Sequence, residues 1–387
     1  MLHAKFNGDR LREARRFRSK SITELADALG VTKQMISKYE NMNASPSRDV
    51  VFRMTQTLGF SREYFYDKDK FEMKSSGTFF RSRLTSTQKE KVPVEYVKKW
   101  AAVLRHFLEI YVDFPELPKI TNIEMHSSIE EQAESLRDDW DIGEKPVDNL
   151  MRLLEEKGFV VASVFNGAEK VDAMSSYIKI DGKGYYIIIL EGGNYSFYRE
   201  QFSIAHELGH WLLHSEQVNP QELEMEEYKK MEQEANEFAA NFLLPKIPFQ
   251  NDVKVDPTNL DYYITLKRKW NVSIAMMVMR AFSLGIINSE EYKRMQRQLS
   301  YRGWRTNEPM DSVKHISEPI AMKQAVELLV ENSILKGYEI PKEFMANYGV
   351  ALPISLIEQI ANVDDSYLEY KEPQIVSLVD IRKAKNS

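Results

Sequence analysis

Residues 206–210 read His-Glu-Leu-Gly-His, two histidines four apart with a glutamate between them. On a helix, residues four apart share a face, so His206 and His210 can reach one metal ion. Glu207 stands one step round, where it can act as general base on an attacking water. Three of the seven histidines fall between 206 and 214, which scatter would rarely give. The surrounding Phe202, Ile204, Ala205, Leu208, Leu212 and Leu213 make this helix largely buried. Buried imidazoles and a buried carboxylate are costly without partners, and a metal supplies one. Gly209 costs roughly 1 kcal/mol of helix stability relative to alanine, so close packing against another backbone is expected there.

A catalytic zinc takes three protein ligands and keeps a fourth position open. The chain has no cysteine, so the third ligand must be His, Asp or Glu. The helix expected over 227–244 offers Glu227, Glu232, Glu234 and Glu237 beside the apolar stripe Met231, Ala235, Phe238 and Phe242. Glu234, three after Met231 and four before Phe238, is the expected ligand, with Glu232 near the edge as runner-up. His214, four after His210, is read as a hydrogen-bonded neighbour, with a fourth ligand or a substrate contact as alternatives. Zinc is the default ion, and manganese also suits a His₂Glu set. The metal would polarise the scissile carbonyl and lower the pKa of its water, and Glu207 would carry the proton to the leaving amine.

The elements that must position these groups are legible in outline. The chain has 387 residues, 43% hydrophobic and 28% charged, which is globular composition for two or three domains. The absence of cysteine excludes disulfides, thiolate metal sites and cysteine nucleophiles, and fits a reducing cytoplasm. No apolar run approaches the ~20 residues of a membrane helix, and the polar N-terminus is not a signal peptide. Two helical stretches, about 128–141 and 145–157, precede a strand at Phe159–Phe165. Tyr177–Ile180 and Tyr185–Leu190 flank Asp181-Gly182-Lys183-Gly184, a hairpin signal. This hairpin is expected to offer an edge strand to an extended peptide. The metal helix is expected from about Arg199 to His214. Residues 255–387 read as mostly helical, and Tyr262, Tyr263 and Trp270 as core aromatics.

The N-terminal 70 residues hold 14 Lys/Arg against 9 Asp/Glu, a balance of +5, while the rest carries −11. A basic head on an acidic body points to nucleic acid at the head alone. Residues 8–66 read as short helices. Ser21 with Glu24 forms a capping box, Gly30 closes that helix and Thr32 caps the next. The third helix, about Lys33–Asn41, turns Thr32, Lys33, Gln34, Ser37 and Lys38 outward. Gln34 suits adenine, Lys33 or Lys38 guanine or phosphate, and Arg48 the DNA backbone.

Two resemblances sharpen this. AHELGHWLLH followed by EQEANEFAANFLLP resembles the ImmA/IrrE metallopeptidases, with Phe242 where leucine is commoner. That resemblance implies a gluzincin-like zinc site in an α+β domain with a small sheet, with the signature glutamate falling on Glu234. It also implies cleavage of a regulatory protein, often a helix-turn-helix repressor, with single-stranded DNA among the activating signals proposed for the family. SITELADALGVTKQMISKYEN resembles the XRE helix-turn-helix of phage-type repressors, departing from it at Met42, where many have glycine. Phe80-Arg81-Ser82 and Arg302–Arg305 are similar to segments of proteins that fuse the two.

The expected architecture is multidomain and mainly α. It comprises a helix-turn-helix domain over 1–67, a linker plus helix over 68–127, a metallopeptidase domain over 128–250 and a helical region over 251–387. The expected function is a zinc-dependent endopeptidase that regulates transcription by cutting a helix-turn-helix repressor, while its own helix-turn-helix binds duplex DNA or the target. The alternative is a DNA-binding regulator or antitoxin whose peptidase-like domain senses without cutting. Homodimerisation is left open, and no membrane partner is expected.

Overall fold

The structure is a computed structural model that describes residues 5–80, 88–119, 128–164, 173–191, 196–214 and 223–372. The molecule is multidomain and mainly α, with one small mixed sheet. Its head contains α1 (Gly8–Phe17), α2 (Ile22–Leu29), α3 (Lys33–Glu40) and α4 (Arg48–Leu58). The caps expected there form: Ser21 and Glu24 close a capping box, Gly30 ends α2 at φ 61°, and Thr32 Oγ1 accepts from Met35 N. Met42 takes the left-handed conformation (φ 57°) in which glycine is commoner.

Next come β1 (Met73–Phe80), α5 (Gln88–Leu108), α6 (Ile129–Asp139), α7 (Leu150–Glu156), β2 (Val160–Val164), β3 (Ala173–Ile180) and β4 (Lys183–Glu191). The sheet order is β1-β3-β4-β2, with β2 parallel to β4 and the other pairs antiparallel. The β3–β4 hairpin turns on Asp181 (φ 48°) and Gly182 (φ 88°), two consecutive positive φ values that match the right-handed twist of a tight hairpin.

Three expectations give way here. The segment read as a linker contributes β1, which pairs with β3 from Met73↔Ile180 to Phe80↔Met174. β1 therefore covers the outer edge of β3, and β2 covers β4 from Ile187 to Glu191, which leaves residues 183–186 of the hairpin's outer edges outside the strand pairing among the described residues. The helix expected from 145 starts only at Leu150, capped by Asn149. Arg81 and Ser82 lie outside the described residues.

The sheet has two working faces, because successive strand residues point oppositely. Met174, Ile178, Ile187 and Ile189 face a core shared with α5 and the head. Ala173, Tyr186 and Ile188 face a second core built on α8 (Phe197–His214) and α9 (Met225–Leu243). The remaining helices divide between these cores. α10 (Lys246–Val253), α11 (Leu260–Trp270), α12 (Ile274–Ser283) and α13 (Ser289–Tyr301) join the second, where Tyr263 and Trp270 are buried and Tyr262 partly so. α14 (Ala321–Glu331), α15 (Ile340–Tyr348) and α16 (Ile354–Ala361) return to α5 and join the first. No helix among the described residues is long and apolar enough to cross a membrane.

Candidate metal centre and nucleic-acid interface

α8 and α9 together build the candidate site. Gly209 allows the two helices to close: a Cβ there would lie 3.1 Å from the Ala235 carbonyl oxygen and 3.1 Å from the Phe238 ring. At that separation His206 Nε2 and His210 Nε2 are 3.0 Å apart, and each lies 3.4 Å from a carboxylate oxygen of Glu232. Both imidazoles are fully buried. His206, His210 and Glu232 are the group that the structure brings together as potential metal ligands among the described residues.

Glu234 lies elsewhere. Its Oε2 is 3.0 Å from His214 Nε2, and it is not part of the three-residue group. The stripe of Met231, Ala235, Phe238 and Phe242 is buried as expected, and Ala235 and Phe238 meet Gly209 of α8. However, Glu232 and Glu234 flank that stripe on opposite sides, and periodicity alone does not say which flank meets the histidines. Asn236 reveals it: four residues after Glu232, it shares that flank, and its Oδ1 lies 3.1 Å from His206 Nδ1.

The electrostatics fit a cation. Burial would raise the Glu232 pKa, but the His206 and His210 rings beside it outweigh that and hold the carboxyl down to about 2. Burial holds the His210 ring down to about 3, and burial likewise lowers His214. The centre thus presents an anionic Glu232 carboxylate and a neutral His210 ring at neutral pH. Because Asn236 Oδ1 can only accept, His206 donates to it from Nδ1. Two nitrogen donors and one carboxylate within 4.8 Å of one another form the donor set of a zinc-type site.

Glu207 is fully buried beside the pair. Ser175 of β3 donates its hydroxyl hydrogen bond to Glu207 Oε2, and Tyr186 OH of β4 lies 2.8 Å from Ser175 Oγ. Burial, then the nearby Glu207 charge, push the Tyr186 pKa well up, so the phenol stays protonated. Neither residue stood out in the sequence. The polar pair Ser175-Ser176 beside Ala173 and Met174 in the buried half of β3 was the available signal, since buried hydroxyls need partners.

Residues 170–282 match the IrrE N-terminal-like domain. Residues 11–65 match the helix-turn-helix family, so a helix-turn-helix head precedes a metallopeptidase-like domain of the IrrE type in one chain. No curated protein gives a significant match to the chain.

In the helix-turn-helix head, Thr32, Lys33, Gln34 and Lys38 are exposed on or beside α3, Arg48 is exposed at the start of α4, and Ser37 is half-buried. The Thr32 hydroxyl also caps α3, and Ser37 Oγ accepts from Asn41 Nδ2 at 3.4 Å. The inner side of α3 is locked to the head: Glu40 is buried and accepts from Arg15 Nη2 at 2.9 Å. A bidentate buried ion pair fixes the helix while its outer residues stay available.

Proposed function

We propose that the protein is a metal-dependent endopeptidase that regulates transcription by cutting a helix-turn-helix regulatory protein, with its own head binding duplex DNA. The observation that carries this reading is the convergence of His206, His210 and Glu232 beside a buried Glu207 that Ser175 holds in place. His206, His210 and Glu232 would hold the ion. A divalent ion supplies Lewis-acid polarisation of the scissile carbonyl. Glu207 takes the proton of the attacking water and passes it to the leaving amine as the C–N bond breaks. The Ser175 hydrogen bond to one carboxylate oxygen fixes the orientation of the other, which geometry-limited proton transfer requires. On the head, Gln34 offers a bidentate amide for adenine, Lys33 and Lys38 reach guanine or phosphate, and Thr32, Ser37 and Arg48 support the backbone contact.

The experiment compares wild type with Glu207→Gln. Bound zinc and manganese are quantified. Each protein is then incubated with helix-turn-helix proteins encoded nearby, with and without single-stranded DNA. About one metal per chain in both proteins and cleavage by wild type alone is the expected result. Metal in both with no cleavage of any candidate favours a regulator that senses without cutting. Absence of metal from both overturns the mechanism.

A further inference from the structure

Glu234 stands at the outer end of a hydrogen-bonded chain that the proposed chemistry does not use. Its Oε2 lies 3.0 Å from His214 Nε2, and His214 Nδ1 lies 3.2 Å from His210 Nδ1. A carboxylate only accepts, so His214 donates from Nε2. A neutral ring donating there has a bare lone pair on Nδ1, which can only accept. His210 must then donate from its own Nδ1, leaving its Nε2 bare. That Nε2 is the atom facing His206 and Glu232. Asn236 performs the same service for His206 in a single step.

We propose that Glu234 is a positioning residue that sets the tautomer of His210 through His214, so that both imidazoles offer Nε2 to a divalent cation held with Glu232. The inference rests on the metallopeptidase reading. It assigns the two glutamates of α9 different work. The Glu232 side chain is 17% exposed and faces both imidazoles, whereas that of Glu234 is 33% exposed and meets the ring behind them. The three histidines recur every fourth residue of α8, so one helical face carries both the candidate ligands and the ring that orients them. Partners of this kind commonly affect metal affinity 10- to 100-fold.

The test uses the full chain and zinc alone. Zinc dissociation constants are measured by competition with a chromophoric chelator for wild type, Glu234→Ala, Glu234→Gln and Glu232→Ala. Histidine ring tautomers are read from ¹⁵N shifts of the metal-free proteins, and melting curves check folding. Glu234→Ala should weaken zinc binding about 10- to 100-fold. It should also move His214 and His210 away from their wild-type tautomers without changing the melting of the metal-free chain. Glu234→Gln, whose amide oxygen still accepts, should recover most of the affinity. Wild-type affinity in Glu234→Ala, or weaker binding with unchanged tautomers, overturns the proposal. Loss as complete as in Glu232→Ala overturns it too, because Glu234 would then be a ligand. If wild type binds no zinc, the peptidase reading falls, while the tautomers of metal-free Glu234→Ala still decide the relay.

Discussion

Gly209 sets how closely α8 approaches α9, and its missing side chain is as much part of the candidate site as the histidines. A Cβ there would already press on the Ala235 carbonyl and the Phe238 ring. Gly209→Val adds two further methyl groups, and overpacking of this kind costs about 1–3 kcal/mol. The variant should melt lower. It should also bind zinc more weakly, because Glu232 recedes from His206 and His210. Calorimetry and a zinc titration check both effects, and unchanged affinity would mean that the helix contact is slack. Met42 is the opposite case. It holds φ at 57° and is 45% exposed, so it pays for a left-handed backbone with little packing in return. Met42→Gly should stabilise the head by up to about 1 kcal/mol, read as a higher denaturant midpoint with an unchanged slope. The gain is capped because glycine also frees the unfolded chain.

At the scale of elements, the start of α8 is covered by the segment after α13. Arg199 donates to the carbonyls of Trp304 and Arg305, at 3.3 and 2.8 Å. Burial pushes the neighbouring Glu200 up to about 7, although the Ser317 backbone N–H bond works the other way. The sign follows from the raised value. In the unfolded chain Glu200 loses its proton near 4.5, whereas in the fold it keeps it until about 7. Its contribution is therefore fully present below pH 4.5 and is lost as pH rises through 7. Glu200→Gln stays neutral and can still accept from Ser317. It should match wild type near pH 4.5 and be more stable at pH 8, on the order of 2 kcal/mol. Melting curves across that range check it, and a constant difference would remove Glu200 as the cause. Much of this element-scale arrangement was legible in the sequence. The histidine spacing, the Ser21–Glu24 box, the Asp181-Gly182 turn and the apolar stripe of α9 are all local signals, and each produced the element it announced. Which of Glu232 and Glu234 lies beside His206 and His210 was not legible, because a stripe defines a face and its two flanks are equivalent until a partner helix lies across them. β1 was missed for a related reason. Met73-Lys74-Ser75-Ser76-Gly77-Thr78 has no apolar alternation, and its pairing comes from the open edge of a strand a hundred residues away.

At the scale of the whole molecule, α5 binds the head to the body. Its Trp100 is 1% exposed in a core that runs without interruption from Leu11 and Leu58 in the head to Ile187 and Ile189 in the sheet. Polar contacts reinforce the junction: Lys99 Nζ lies 3.3 Å from Glu13 and from Asp69, and Lys70 N donates to the Tyr348 carbonyl at 3.0 Å. Asp67 accepts from Ala351 N at 2.7 Å, which ties the end of the head to the chain just past α15. The opposite face of the same sheet carries Tyr186 and the Ser175 that holds Glu207. A head on a flexible tether would melt independently, but a head sharing a core with the sheet should not. Trp100→Ala removes a large buried ring from that core, which costs about 3–5 kcal/mol. Amide exchange should show protection in α2 and α3 falling together with protection in β3 and β4, by the same free energy. If exchange in the head rises while β3 and β4 stay protected, the head is an independent unit. A ligand on the exposed face of α3 could then reach Glu207 only through chain connectivity, and not through the packed sheet between them.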